Sequence, residues 1–400
     1  MKKLFLILIV LLLLVNVIGE DNEKVSKDVI EKIQEDGTAN VIVVLKEESS
    51  ENSFGIMENV EVNQVVDDLN IEIGKEFSII NGFSSEIDNN DLNELINDER
   101  VERIDYDKAV MAFLTESVPL INASVAHSLN YGSGNIKGFG QTVCIIDTGV
   151  NYTHPDLGGC LGTGCKVLGG YDFINDDEDP SDDNGHGTHV AGIVSANGTL
   201  IGVAPESNLI AIKALDVSGV GNDSNIIAGI DWCVNNATLF GISVITMSLG
   251  TDTVYSSDCD AVSISLTNAI NNAIANNITV IAASGNVGNL NGISSPACIT
   301  NTTSVGSVTK SDVISNFTNR AIILDLLAPG ENINSTSYNL DYESRSGTSM
   351  AAPHVAGSVV LLKQYYSNIG LNVDVSKIIQ QLKDTGKRIF DNGLTFSRID

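Results

Sequence analysis

Positive charge is scarce in this chain. Its 400 residues carry 22 Lys and Arg against 51 Asp and Glu, a net charge of −29. So acidic a surface repels phosphate backbones and anionic lipid, which excludes nucleic acid and anionic membranes as expected partners. A solvated acidic face is the plain reading. Cationic peptides, calcium or high salt would also suit it, and composition does not choose among them. Long apolar runs are lacking too. After Met1-Lys2-Lys3, the stretch Leu4 to Val15 has the length of a signal peptide and is too short for a comfortable membrane span. Residues 1–19 are therefore expected to direct export and to be cleaved near Gly19, with an uncleaved N-terminal anchor as the alternative. No cysteine follows directly, so a lipoprotein anchor is not indicated, and no later run is apolar enough to span a bilayer. The six cysteines lack the spacing of a zinc site. In an exported chain disulfides are expected. Cys160 with Cys165 would close a glycine-rich loop, and Cys259 with Cys298 would join two surface loops. Cys144, in a strand, and Cys233, in a helical run, read as buried free thiols.

Three short islands stand out against this background. Thr142 to Ile146 is an apolar strand ending in Asp147-Thr148-Gly149. Chemistry in open α/β sheets collects at the carboxyl ends of strands. The second island is Asn184-Gly185-His186-Gly187-Thr188-His189-Val190-Ala191-Gly192, where two glycines leave His186 accessible ahead of a helical apolar run. The third is Gly347-Thr348-Ser349-Met350-Ala351-Ala352-Pro353-His354. Pro353 suits a first helical turn, which places Ser349 at or just before a helix N-terminus. There the helix dipole favours a developing oxyanion. Singly, these residues read as a turn aspartate, a loop histidine and a serine N-cap. Together they supply a nucleophile, a base that titrates near neutrality and a carboxylate to orient it.

The order Asp147, His186, Ser349 is that of subtilisin, not of chymotrypsin or the α/β-hydrolases. At all three islands the sequence resembles the subtilisin-like serine proteases, through DTGV at Asp147, HGTHVAG at His186 and GTSMAAPHVAG at Ser349. The resemblance implies an α/β three-layer fold, a parallel sheet between helices, over residues 114–400. It implies a second oxyanion donor at Asn286, in Ala282-Ala283-Ser284-Gly285-Asn286. An extended peptide would lie between Ser248-Leu249-Gly250 and Gly219-Val220-Gly221, bound by main-chain hydrogen bonds, so an endopeptidase of moderately broad preference is expected. No cofactor is implied for catalysis, and a monomer is expected. A structural calcium site is implied at Asp172, Asp177 and Asp179, less directly at Asn175 and Ser181. The family's other calcium loop, opposite Asp156, is short here (196–201). His154 and His189 read as structural.

Upstream, residues 20–113 follow a different pattern. Val41–Leu45, Phe77–Ile80, Phe83–Ile87 and Val101–Tyr106 read as strands, with Asn81-Gly82 as a hairpin turn. Val62, Val65, Val66 and Leu69 mark one helix, and Leu92, Leu95 and Ile96 another. The order β-α-β-β-α-β suggests a small ferredoxin-like unit. In pattern and position it resembles the subtilase propeptide, a chaperone and temporary inhibitor of its own protease. Self-cleavage is then expected between Asp107 and Ser117, and a retained accessory domain is the alternative. Two other functions stay open from sequence: a silent subtilase scaffold acting as an exported binding protein, and an esterase or acyl transferase using the same three residues.

Overall fold

A computed structural model describes residues 24–46, 62–77, 81–107, 116–132 and 134–400. The chain divides into two compact units, Met1–Val110 and Met111–Asp400. The expected signal peptide, the strand residues 78–80 and most of the expected cleavage segment lie outside the described residues.

The smaller unit begins with helix α1 (Lys27–Asp36), which the sequence reading missed. There follow β1 (Thr38–Leu45), α2 (Val62–Leu69), β2 (Lys75–Phe77), β3 (Gly82–Asp88), α3 (Asn89–Asn97) and β4 (Val101–Tyr106). The sheet order is β2-β3-β1-β4, with every pair antiparallel. Alternation along β1 buries Ala39, Val41, Val43 and Leu45 on one core with Val29 and Ile33 of α1 and Leu92 and Leu95 of α3. Asp88 caps α3, accepting the Asn90 and Asp91 N–H groups, while the Asp91 side chain returns a bond to the Asp88 N–H. Gly82 is a strand residue here, paired with Phe77, and not part of the turn. Its lack of a side chain serves packing: an added Cβ would sit 2.2 Å from the Val43 carbonyl.

In the larger unit the strands of the main sheet are β5 (Thr142–Asp147), β6 (Val167–Asp172), β7 (Asn208–Lys213), β8 (Ile242–Met247), β9 (Thr279–Ala283), β10 (Thr303–Val308) and β11 (Leu326–Pro329). A side hairpin, β12 (Ile333–Thr336) and β13 (Tyr342–Arg345), is followed by β14 (Lys387–Asp391) and β15 (Leu394–Arg398). The nine-stranded order is β14-β15-β11-β10-β9-β8-β5-β7-β6, parallel except for the terminal β14–β15 hairpin. Both faces are covered. Val143 and Ile145 of β5 join one core with α4 (His186–Ser195), α7 (Thr348–Asn368) and α8 (Val375–Thr385). Cys144 and Ile146 point into the other, with α5 (Asp223–Asn235) and α6 (Ile264–Ala275). This apolar-on-both-sides strand is what a parallel sheet between helix layers requires. The order reverses between β5 and β8, so the crevice at their carboxyl ends is the fold's natural binding place.

The disulfides correct one expectation. Cys160–Cys165 and Cys259–Cys298 pair as anticipated, but Cys144 and Cys233 are bonded to each other rather than free. Strand parity turns Cys144 toward the face covered by α5, where Cys233 is the inward residue, and their Cα atoms are 6.4 Å apart. Among the described residues no helix is long and apolar enough to cross a membrane.

Candidate active site

Each functional side chain sits where a strand ends or a helix begins. Asp147 is the last residue of β5 and is fully buried. Its Oδ1 accepts the Thr148 N–H at 2.8 Å and the His186 Nδ1–H at 2.7 Å. His186 opens α4, and its side chain keeps 23% exposure. Gly187 allows the close packing behind it, since an added Cβ would lie 2.1 Å from the Gly149 carbonyl. Burial alone would lower the imidazole's pKa. The charge and hydrogen bond of Asp147 outweigh that and hold it above the ordinary value, with Asp182 acting in the same sense and Arg345 against it. With Nδ1 as donor, Nε2 is left as the basic nitrogen.

Ser349 is the second residue of α7, where backbone N–H groups have no intrahelical partner. Pro353 lies one turn further along than the first-turn position expected for it. The consequence is local. A proline at 353 cannot donate to the carbonyl of residue 349. That freed carbonyl accepts the Ser248 hydroxyl at 2.8 Å, and the Ser349 hydroxyl donates to the Ser248 carbonyl at 3.1 Å. The segment after β8 is thus bolted to the start of α7.

Asn286 follows β9 and is exposed to the cleft. Its Oδ1 accepts both the N–H and the hydroxyl of Thr348, at 2.8 and 2.9 Å. That fixes the amide so that Nδ2 remains as a free donor. An added Cβ at Gly347 would be 3.6 Å from both Asn286 Nδ2 and the Ser349 nitrogen, so the two donors lie beside the same glycine.

His186, Asn286 and Ser349 share a cleft of about 800 Å³ with Ser248, Leu249, Gly250, Gly219, Val220 and Gly221, while Asp147 is buried behind it. Val220 has both backbone groups engaged by Asp216: its N–H donates to Oδ1 at 3.0 Å and its carbonyl accepts the Asp216 N–H at 2.9 Å. The Gly219 N–H is also taken, donating to the Asp216 carbonyl at 2.8 Å, so the main chain on that wall is open at the Gly219 carbonyl and at Gly221 rather than at Val220. Neither His154 nor His189 lines the cleft, although His189 follows His186 by one turn on α4. His154 accepts the Asp156 N–H, and His189 Nε2 lies 3.1 and 3.0 Å from the Ile333 and Glu343 carbonyls. Burial pushes His189 down to about 3.

The implied calcium ligands are not gathered together. Asp172 Oδ1 accepts the Ile174 and Asn175 N–H groups, Asp177 Oδ1 accepts the Asp179 N–H, and Asp179 Oδ1 accepts the Tyr152 hydroxyl. Asp172 and Asp177 each hold a turn, and Asp179 is engaged by Tyr152. Among the described residues no group of three or more His, Cys, Asp or Glu is placed to hold a metal ion. Asp156 also faces donors: its oxygens accept the Thr199 and Leu200 N–H groups and the Tyr342 hydroxyl.

The profile of the Subtilase family matches residues 138–396. This chain belongs to that family. It is 35% identical over 354 residues to an alkaline protease of Shouchella clausii, covering 84% of this chain and 85% of the relative. It is 36% identical over 320 residues to alkaline serine exoprotease A of Vibrio alginolyticus, covering 77% of this chain but only 56% of the relative's length. Among solved structures it resembles a cold adapted subtilisin-like serine proteinase at 34% identity and TM-score 0.57, over 70% of this chain and 97% of that one. Sequence reasoning missed Asp182, Thr148 and Thr348. The first was hidden in an acidic run, and the other two are side chains that act on neighbours of the reacting groups.

Proposed function

We propose that this protein is a serine endopeptidase that cleaves polypeptides through an acyl-enzyme on Ser349. A substrate lying along Ser248-Leu249-Gly250 offers its own N–H to the Ser248 carbonyl and displaces the Ser349 hydroxyl toward His186. His186 Nε2 takes the proton as Oγ bonds to the scissile carbonyl carbon. Asp147 stabilises the imidazolium, and Asn286 Nδ2 with the Ser349 N–H receives the oxyanion. The C–N bond then breaks, the leaving amine takes the proton from His186, and water repeats the sequence to free the acid. No step needs a cofactor, and one chain supplies every group.

The observation that carries this reading is the 2.7 Å contact from buried Asp147 to His186, which lines the same cleft as Ser349 and Asn286. The named relatives, all proteases, favour peptide bonds over esters. We further propose that residues 1–19 direct export and that the smaller unit is a propeptide, released by self-cleavage between Asp107 and Ser117, that binds the cleft as an inhibitor. Three disulfides suit an oxidising compartment. Casein hydrolysis and N-terminal sequencing of wild-type and Ser349→Ala protein test this together. The wild type should digest casein and begin between residues 107 and 117, and the variant should do neither. A variant that matures normally when expressed alone would rule out self-cleavage.

A further inference from the structure

Asp182 belongs to the acidic run before His186, yet unlike most of that run it is buried, with 2% exposure. Its Oδ1 accepts the Thr148 hydroxyl at 2.9 Å and the N–H groups of Asn184 and Gly185 at 3.0 and 2.9 Å. Its Oδ2 accepts the N–H and hydroxyl of Thr188, at 2.9 and 2.5 Å. Every partner lies within two residues of Asp147 or His186. Thr148 completes the clasp by donating its N–H to Asp147 and accepting the Gly187 N–H at 2.9 Å. Burying a carboxylate is costly unless it is fully hydrogen-bonded, and charge-assisted bonds are the strong ones. So many donors aimed at one residue fix the geometry around it.

We propose that Asp182 is the positioning residue of the catalytic pair, locking the Asp147 loop to the first turn of α4 so that His186 meets Asp147 in one orientation. The proposal rests on the protease reading above. Asp182 also adds, after Asp147, to the negative charge that favours protonated His186 against burial. It therefore supports the imidazolium as well as the alignment.

The test is Asp182→Asn, with Thr148→Val as a second variant. An asparagine presents N–H hydrogens to donors that need an acceptor, while the valine removes only the hydroxyl that links Asp147's loop to Asp182 and Gly187. Two readouts are taken: the His186 titration by NMR, resolved among five histidines, and kcat per active site counted with a covalent serine reagent. In Asp182→Asn, kcat should fall about 10–100-fold at little change in KM, the scale of a small misalignment. The His186 pKa and the acid limb of activity should both move to lower pH. Thr148→Val should show a smaller drop in the same direction, and it decides the matter if Asp182→Asn does not fold. Variants that merely unfold more easily, with wild-type kcat per counted site and an unmoved His186 titration, would overturn the proposal. A wild type without peptidase activity fails the protease reading alone, and the His186 titration still decides the role of Asp182.

Discussion

Replacing Asp156 with alanine should cost the larger unit much of its stability. The carboxylate clasps the loop after α4: it accepts the Thr199 N–H at 3.0 Å, the Leu200 N–H at 2.7 Å and the Tyr342 hydroxyl at 2.9 Å. Its backbone carbonyl accepts the Asn197 N–H at 2.9 Å. Gly198 runs so close that an added Cβ would be 2.1 Å from Asp156 Oδ1. Donors that converge on a carboxylate offset the cost of burying it, so the side chain itself holds the loop. Hydrogen bonds to a charged group are worth about 1.5–3 kcal/mol each, and orphaned buried donors add to the loss. Allowing for rehydration at exposed Thr199 and half-buried Tyr342, the total is about 4–6 kcal/mol. For a unit of this size that lowers Tm by roughly 10 °C or more. Scanning calorimetry at fixed scan rate, with and without calcium, checks it, and calcium should not restore the variant. A Tm within about 2 °C of wild type would refute the reasoning. So would a wild-type Tm that rises steeply with calcium while the Asp156→Ala Tm does not respond.

Thr348→Val removes one of two bonds holding Asn286 Oδ1 and should lower kcat several-fold by loosening the Nδ2 donor, whereas Asn286→Ala removes the donor and should cost about 100–1000-fold. Steady-state kinetics on one peptide substrate should find KM little changed in both. Replacing Cys144 and Cys233 together by alanine opens a cross-link spanning 89 residues, worth about 4–5 kcal/mol in chain entropy, and should lower the denaturant midpoint under oxidising but not reducing conditions. Because His186 is held above its ordinary pKa and must be neutral to act, kcat/KM should rise with pH through a value above about 6.5. Stability rises with pH as well, but through a histidine whose pKa is shifted the other way. Burial pushes His354 down to about 4, so the unfolded chain binds a proton that the folded chain refuses between about 4 and 6.5. That contribution is complete above about pH 6.5 and lost as pH falls through about 4, amounting to about 3 kcal/mol, measurable as a falling Tm.

Much of this was legible because the informative signals are local. Strand Thr142–Asp147 announces itself by composition, and the motifs around His186 and Ser349 carry their own backbone requirements. The β-α-β-β-α-β order of the smaller unit follows from periodicity, whereas α1, which buries Val29 and Ile33 at the same i, i+4 spacing, lies outside that pattern. What sequence could not supply was partnership across elements. Cys144 and Cys233 meet because a parallel strand buries both of its faces, a fact of layering rather than spacing. The run 172–183 reads as a uniform acidic loop, yet Asp172 and Asp177 hold turns, Asp179 meets Tyr152, and Asp182 clasps the loops of Asp147 and His186. Only the fold sorts these roles.

The central claim is that Ser349 is an activated nucleophile. Reaction with a fluorophosphonate, followed by peptide mapping, tests it directly. The account predicts one covalent adduct per chain, on Ser349, abolished in His186→Ala protein and increasing with pH as the imidazole loses its proton. Labelling absent from folded wild-type protein, or found on other serines and indifferent to His186, would contradict it.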